Sequence, residues 1–236
     1  MELPYVRLAV AASVSLLMAR SGLKKKSLSK DGAAAAVTVG FLSMGASYRF
    51  GATLLSFYYS SSKLTKVGHT RKAELEESVK EGGQRTYVQV FSCSIIGVAI
   101  AVAHVVCFGF EGDHTALSFA SASGRLSAVL RCAYLGHFAC CAADTWASEV
   151  GTLASGQPWL MTSCKKVPPG TNGGVSLLGT AAAMAGGAFM GLVFWLAGWL
   201  QMGRPDALTA ELLPLVLIGL LAGLVGSTID SALGDL

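Results

Sequence analysis

Six long apolar stretches, separated by polar segments, dominate the chain. They run roughly over Leu3–Ala19, Ala33–Tyr59, Val88–Phe110, Leu126–Ala143, Val175–Met202 and Ala210–Ala232. Crossing the hydrocarbon core of a bilayer takes about 20 helical residues, and only a helix satisfies its own backbone hydrogen bonds there. The pattern predicts an all-α, polytopic membrane helix bundle with about six transmembrane helices, forming a single domain over residues 1–236.

Composition excludes an ordinary soluble domain. Hydrophobic residues make up 53% of the 236 residues, charged residues only 14%, and the mean hydropathy is +0.55. Soluble domains carry about 25% charged residues. The net charge of +4 comes mainly from lysines that flank the apolar stretches, which suits anionic lipid headgroups better than nucleic acid. We therefore expect a multi-pass integral membrane protein, with the endomembrane system and the plastid envelope both open as locations.

The distribution of positive residues gives no clear orientation. The first stretch is interpreted as a membrane helix rather than a signal peptide, because its Lys24–Lys26 cluster follows the apolar run. Both the first and the second loop are rich in Lys and Arg, and loops after successive spans are expected on opposite faces. The positive-inside rule then favours both faces, and Lys165 and Lys166 tip the balance only slightly toward a cytoplasmic second loop.

Small residues in the apolar stretches predict packing rather than chemistry. The glycine steps that include Gly187, Gly191, Gly219 and Gly223 allow helices to approach closely. The six cysteines form no Cys-Xaa-Xaa-Cys pair, so neither a zinc site nor a redox motif is indicated.

The first candidate site is the polar segment from Asp144 to Gly151, which follows directly on an apolar run. On a helix, Asp144 and Ser148 share one face, while Thr145 and Glu149 share the neighbouring one. Carboxylates and hydroxyls suit a hard divalent cation such as Mg²⁺. Asp144 and Glu149 are therefore predicted as metal ligands, and a helix end with solvated acids is the alternative.

The second candidate site precedes the fifth apolar stretch. Lys165, Lys166 and a Pro-Pro step are followed by a turn made of Gly170, Thr171, Asn172, Gly173 and Gly174. Glycines allow close backbone approach to a ligand, and the amides at the start of a helix favour an anion. The segment is not a Walker A loop, since no Gly-Lys-Ser/Thr follows. It predicts a phosphate site, with an ordinary interhelical turn as the alternative.

Two weaker features complete the set. Glu81–Arg85 offers a Gly-Gly step with an arginine before the third stretch, and Asp230 lies near the end of the sixth. We expect Asp230 to return to the same end of the bundle as Asp144, with Arg85 supplying a further anion contact.

These motifs occur in a recognisable order. They are Lys24–Leu28, Ser60–Lys66, Glu81–Arg85, Asp144–Glu149, Lys166–Val175 and Asp230–Ser231. The chain resembles the transmembrane protein 19 family, which carries the domain of unknown function numbered 92, and the resemblance runs nearly end to end. A plant chloroplast member of that family is a phytyl-phosphate kinase, and the family is distantly similar to CTP-using polyprenol kinases. The resemblance therefore implies a lipid-phosphate kinase.

The resemblance also implies a missing segment. After Asp230-Ser231 the family pattern continues as Leu-Gly-Ala-Thr into a further loop and a final helix, whereas this sequence reads Leu233, Gly234, Asp235 and Leu236. We expect the chain to lack that final C-terminal helix.

Two classes of function follow. As an enzyme, the protein would use Mg²⁺ and a nucleoside triphosphate, CTP or ATP, to phosphorylate a prenyl phosphate. Its expected catalytic residues are Asp144, Glu149, Lys166 and Asp230. Nucleotide and substrate would be bound by Arg85, Lys165, Gly170, Thr171, Asn172, Gly173 and Gly174. The alternative is a non-enzymatic multi-pass carrier or assembly factor, in which the same motifs serve packing or an ion site.

Overall fold

The computed structural model describes residues 4–67, 84–110, 117–202 and 205–235. This part of the chain forms eight helices and one two-stranded hairpin. The helices are α1 Pro4–Lys24, α2 Lys30–Ala46, α3 Tyr48–Leu64, α4 Tyr87–Ser92, α5 Ile95–Phe108, α6 Ala122–Gly151, α7 Leu177–Met202 and α8 Pro205–Gly234. Strands β1 (Trp159–Leu160) and β2 (Gly174–Val175) pair antiparallel between α6 and α7.

Length and composition confirm a polytopic all-α membrane protein. In the described ranges, four helical segments are long and apolar enough to span a bilayer: Tyr5–Lys24, Ala122–Gly151, Leu177–Gln201 and Ala210–Gly234. Helices α2 and α3 contain 17 residues each, so each is about 25 Å long, somewhat less than the hydrocarbon thickness. The expected count of about six spans thus corresponds to four full-length helices and several shorter ones.

The second apolar stretch, expected as one long helix, is a hairpin of two helices. Ser47 is extended, with φ −161° and ψ 142°, and its Oγ accepts a hydrogen bond from Arg49 N at 3.0 Å. At the other ends, Ser29 Oγ donates to Arg85 O (3.0 Å), and Arg85 Nη1 donates to Ser62 Oγ (3.5 Å). The start of α2 and the end of α3 therefore lie side by side, and the two helices run antiparallel.

The third apolar stretch is also divided. Helix α4 ends at Ser92, and α5 begins at Ile95 after Ser94, whose φ of −137° and ψ of −16° are not helical. Cys93 O, just before α5, accepts a hydrogen bond from His137 Nε2 at 3.0 Å, and His104 Nε2, near the end of α5, lies 3.0 Å from Ser127 Oγ. Helix α5 therefore runs antiparallel to α6.

The hairpin changes the distribution of charge between the two ends of the bundle. We define the motif end as the end where α6 and α8 finish and α7 begins. Helix α1 also finishes there, since Ser27 O accepts from Arg85 N at 3.0 Å. The expectation that the first two loops lie on opposite faces is therefore wrong. Loop cations from both now share the motif end with those of the later loop: Lys24, Lys25, Lys26, Lys30, Lys63, Lys66, Arg85, Lys165 and Lys166.

Close contact between α7 and α8 sets the geometry of the core. A Cβ on Gly187 would lie 2.3 Å from Gly219 O, so neither position accepts a larger residue without separating the helices. This confirms the close approach expected from the glycine steps. Around that pair, Phe50, Tyr134 and Phe194 are fully buried, and Tyr134 donates from its hydroxyl to Phe50 O at 2.9 Å. The rigid core fixes where α6 and α8 end.

Candidate functional site

A polar cavity of about 640 Å³ opens at the motif end, and we call it the polar cavity. Its walls come from the end of α6, the segment between the strands, the start of α7 and the end of α8. Among its lining residues are Asp144, Ser148, Glu149, Gly170, Thr171, Asn172, Gly173, Gly174, Ser176, Ser227, Thr228, Asp230 and Ser231. The two acidic motifs and the glycine-rich turn, distant in sequence, thus face one space.

Asp144 and Asp230 form a carboxyl pair in this cavity, with their side chains within hydrogen-bonding range. Helix contact produces the pair: a Cβ on Gly223 would lie 2.9 Å from Ala143 Cβ, so α8 lies directly against α6 just before both acids. The expectation that Asp230 returns to Asp144 is confirmed. Two ionised carboxylates at this separation repel each other, and a shared proton or a bound cation relieves that repulsion.

The glycine-rich turn is held by the end of α8. Gly170 and Gly173 have φ values of 88° and 75°, a conformation that side chains with a Cβ rarely adopt. A Cβ on Gly173 would also lie 2.7 Å from Asp235 N. Asn172 Nδ2 donates to Gly234 O at 3.1 Å, which closes the turn onto the same segment. The backbone of the turn is therefore fixed beside Asp230.

The start of α7 forms one wall of the polar cavity. Ser176 Oγ accepts a hydrogen bond from Gly179 N at 3.1 Å, and Ser176, Gly179 and Thr180 all line the polar cavity. The first amides of a helix have no carbonyl partner within the helix, and its dipole places partial positive charge at this end. Because α7 has 26 residues, its start is suited to phosphate.

Arg85 does not line the polar cavity; it lies in a second cavity described below. Burial lowers the pKa of its guanidinium, and the negative charge of Glu149 acts in the opposite direction. Glu149 itself lines the polar cavity. The two residues therefore lie in neighbouring cavities and interact electrostatically, although sequence reasoning placed both in one site.

The two lysines of the second motif are also outside the lining of the polar cavity. Both are exposed, Lys165 O accepts from Leu160 N at 2.9 Å, and Lys166 Nζ lies 5.9 Å from the centre of the Trp159 ring. Their proposed contact with phosphate stays a prediction. Glu81, Gly82 and Gly83 of the third motif lie outside the described residues.

The second cavity, which we call the apolar cavity, has a volume of about 310 Å³ and lies among α1, α2, α3 and α4. Most of its lining is hydrophobic, including Val39, Leu54, Phe57 and Val90. Thr145 closes it on the side of α6, one residue after Asp144. Thr145 shares a helix face with Glu149, which lines the polar cavity, so the two cavities are neighbours along α6.

The donor set of the polar cavity suits magnesium rather than zinc. Among the described residues, no group of three or more His, Cys, Asp or Glu side chains is placed to hold a metal ion. Mg²⁺ is commonly bound by one or two carboxylates and completes its shell with water and substrate phosphates. Asp144 and Asp230 together fit that pattern, whereas the sequence had paired Asp144 with Glu149.

Several hydroxyl groups of the polar cavity were not identified from the sequence. Ser227, Thr228 and Ser231 line it from α8, and Thr180 lines it from α7. A signal was available, because Asp230 is an ionisable residue in an apolar helix and the three hydroxyl residues lie within one turn of it.

Comparison with known proteins places this arrangement in a wider group. The chain is 39% identical over 231 residues to Protein PGR of Arabidopsis thaliana, covering 98% of this chain and 79% of that relative. It is 25% identical over 234 residues to Uncharacterized membrane protein MJ0933 of Methanocaldococcus jannaschii, covering 98% and 83%. Protein VTE6, chloroplastic, of Arabidopsis thaliana is 28% identical over 205 residues, covering 86% and 57%.

No solved structure matches the chain. Residues 13–236 match the family described as Integral membrane protein DUF92. The match covers nearly the whole chain and includes every residue of the polar cavity. The chain therefore belongs to the DUF92 family of integral membrane proteins.

Proposed function

We propose that the protein is a lipid-phosphate kinase that transfers a phosphoryl group from a nucleoside triphosphate to a prenyl phosphate. The observation that carries the proposal is the polar cavity, where the Asp144–Asp230 pair faces a fixed glycine-rich turn and the start of α7. Acids that suit Mg²⁺ and amides that suit phosphate are the parts that phosphoryl transfer requires. The resemblance to a family with a prenyl-phosphate kinase member supplies the acceptor.

Each part of the cavity has a role in this proposal. The amides of Gly170–Gly174 and of the start of α7 bind the nucleotide phosphates, and the hydroxyls of Ser176 and Thr180 orient them. Asp144 and Asp230 hold Mg²⁺, which when bound neutralises charge on the phosphates. Glu149 lines the same cavity, and its negative charge acts on the guanidinium of Arg85. Lys165 and Lys166, exposed in the loop between β1 and β2, attract the anionic nucleotide from solution.

The chemical step needs no residue to become covalently modified. An oxygen of the acceptor monophosphate forms a new bond to the γ-phosphorus, and the bond from that phosphorus to the β-phosphate oxygen breaks. The nucleoside diphosphate leaves with the electron pair of that bond, and the acceptor becomes a diphosphate. Catalysis consists of alignment and charge stabilisation, which fixed backbone amides provide without reorganisation.

Turnover by the purified full chain in lipid nanodiscs tests the proposal. Radiolabelled CTP and ATP, each labelled at the γ-phosphate, are supplied with Mg²⁺ and either farnesyl or phytyl monophosphate. We expect label to appear in a lipid diphosphate, and we expect Asp144→Asn to abolish that signal while Ser163→Ala, an exposed loop substitution, preserves it. A folded protein that neither binds nor turns over either nucleotide would overturn the kinase proposal.

One observation favours a membrane carrier as the second candidate. Arg49 and Arg131 are buried near the opposite end of the bundle, and ionisable residues inside membrane proteins often mark transport paths. A carrier has no need of nucleotide at the glycine-rich turn. The same experiment therefore separates the candidates, because a carrier would show transport of a solute into vesicles and no nucleotide turnover.

A further inference from the structure

Among the described residues that line the apolar cavity, one is charged, and that residue is Arg85. The rest of the lining is made mainly of aliphatic and aromatic side chains from α1, α2 and α3. A mostly apolar pocket with one well-placed polar group is typical of a site for an apolar molecule with a polar end. The charge of Arg85 makes that end an anion.

The backbone of Arg85 is fixed where the first loop meets the start of α4. Its N donates to Ser27 O at 3.0 Å, and its O accepts from Ser29 N at 3.1 Å. Its guanidinium lies 5.9 Å from the centre of the Tyr58 ring and donates to Ser62 Oγ at 3.5 Å. A guanidinium has five N–H donors in a planar fork, so its one side-chain hydrogen bond to another described residue leaves donors for a bidentate contact with a phosphate.

The apolar cavity lies next to the polar cavity at α6. Thr145 lines the apolar cavity, whereas Asp144 and Ser148 line the polar cavity from the same turn of α6. Glu149, one turn further along the same helix face as Thr145, lines the polar cavity, and its charge acts on Arg85. An anionic headgroup bound at Arg85 therefore lies beside the wall that carries the acid pair, at the end of the bundle where the nucleotide would bind.

We propose that the apolar cavity binds the hydrocarbon chain of a single-chain lipid monophosphate and that Arg85 binds its phosphate. The choice of a monophosphate rests on the proposed function, in which this lipid is the phosphoryl acceptor. The choice of one chain rests on the volume, because about 310 Å³ is at the lower limit of ligand pockets and does not hold two acyl chains. Arg85 is then a substrate-binding residue rather than a ligand of the nucleotide.

Binding in the absence of nucleotide tests this assignment independently of turnover. The full chain in nanodiscs is titrated with farnesyl monophosphate, with farnesol, and with dioleoyl phosphatidic acid, and dissociation constants are measured by native mass spectrometry. We expect farnesyl monophosphate to bind at least about tenfold more tightly than either comparison lipid, because farnesol lacks the charge and phosphatidic acid has two chains.

Substitutions locate the site. Ala36 lines the apolar cavity on α2, and Ala36→Trp should abolish binding by filling it. Leu42 lies on the same helix but is exposed and outside the cavity lining, so Leu42→Trp is the matched control and should bind normally. Arg85→Gln should weaken farnesyl monophosphate binding about tenfold or more and leave farnesol unaffected. Asp144→Asn should retain lipid binding while losing turnover.

The outcomes separate the two proposals. If Ala36→Trp is misfolded, judged by its unfolding temperature, Arg85→Gln and the comparison of the three lipids still decide. Lipid binding that depends on Ala36 and Arg85, found in a protein without kinase activity, supports the lipid site and rejects the kinase. The lipid site is overturned if the wild-type protein does not bind farnesyl monophosphate. It is also overturned if the Arg85→Gln variant binds this lipid as tightly as the wild type does. Equal binding of phosphatidic acid overturns the assignment to one chain.

Discussion

The carboxyl groups of Asp144 on α6 and Asp230 on α8 lie within hydrogen-bonding range of each other, although 86 positions separate them in the sequence. Their proximity follows from backbone contact, since Gly223 and Gly226 of α8 lie against Ala143 and Cys140 of α6. Helices packed this closely cannot move the two acids apart without losing core contacts. The two acids are therefore held close together, and they repel each other whenever both are ionised, which the proposed Mg²⁺ would relieve.

Substitution of one acid of the pair should lower activity without lowering stability. In Asp144→Asn, one of two repelling charges is removed, so we expect an unfolding temperature equal to or above that of wild type in buffer containing EDTA. Turnover should fall by about 100-fold or more, the usual scale for losing one electrostatic contributor. Differential scanning fluorimetry with and without Mg²⁺ provides the measurement. Wild type should be stabilised by Mg²⁺, and the variant should lose that response.

Asp31→Asn is a matched control for this experiment. Asp31 also lies at the motif end, where its Oδ2 accepts a hydrogen bond from Tyr87 N at 3.2 Å, but it does not line the polar cavity. Its replacement should leave the Mg²⁺ response unchanged. A Mg²⁺ response that is retained by Asp144→Asn and by Asp230→Asn would exclude the pair as the cation site.

The glycine-rich turn should be intolerant of even one methyl group. Gly173→Ala places a Cβ at positive φ and 2.7 Å from Asp235 N, so we expect a loss of stability of about 1–3 kcal/mol and a higher KM for the nucleotide. Gly156→Ala is the control, because nothing lies within 4 Å of its Cβ position. Chemical denaturation and initial-rate kinetics measure the two effects. Equal behaviour of the two variants would show that the turn is not held by the end of α8.

Arg49 on α3 is fully buried, and none of its three guanidinium nitrogens makes a hydrogen bond within the described part of the chain. It lies over the Phe194 ring at 4.9 Å, and a Cβ on Gly198 would be 1.5 Å from its Nη2. Arg49→Met shortens the side chain and removes an unpaired buried charge, so we expect stability to be unchanged or higher.

Gly198→Ala alone should be strongly destabilising, because its methyl group collides with the guanidinium. In the Arg49→Met background the same change should be tolerated. A double-mutant cycle on unfolding free energies measures this coupling, and an interaction energy of about 1 kcal/mol or more is expected. Additive effects would show that Gly198 is restricted by something other than Arg49.

The sequence was sufficient for the features that depend on local pattern. Apolar length predicts the membrane helices, glycine spacing predicts the contact of Gly187 with Gly219, and the motif residues from Gly170 to Gly174 lie in one cavity with Asp144. It did not identify the hairpin at Ser47, although the apolar run is longer than one span needs and Arg49 interrupts it. Ser47 by itself is a weak signal for an N-cap, because serine is common in membrane helices.

That one missed turn changed the expected positions of Lys24–Lys26 and Arg85. With a single span over residues 33–59, the first loop lies opposite the motif end, and Arg85 is expected to supply a further anion contact in the site. With two antiparallel helices, Arg85 meets Ser27 and Ser29 of the first loop instead. Pairings across such a distance depend on tertiary contacts that no local pattern encodes.

The hairpin predicts an orientation for the protein in the membrane. Because the loop cations of the first, second and later loops gather at the motif end, the positive-inside rule now assigns that end to the cytoplasmic or equivalent side. Labelling of single-cysteine variants in sealed right-side-out and inverted vesicles tests it. Cys164 is exposed in the loop between β1 and β2, and Lys25→Cys and Ser123→Cys report on the first loop and on the start of α6.

We expect a membrane-impermeant maleimide to label Cys164 and Lys25→Cys from the same side of the membrane, which is the cytoplasmic or equivalent side. It should label Ser123→Cys from the other side. The comparison of the first two is decisive, because a single span over residues 33–59 places them on opposite sides, whereas the α2–α3 hairpin places them together. Ser123→Cys controls for vesicle integrity, since leaky vesicles label all three. Labelling of Lys25→Cys together with Ser123→Cys would show that α2 and α3 do not reverse the chain at Ser47.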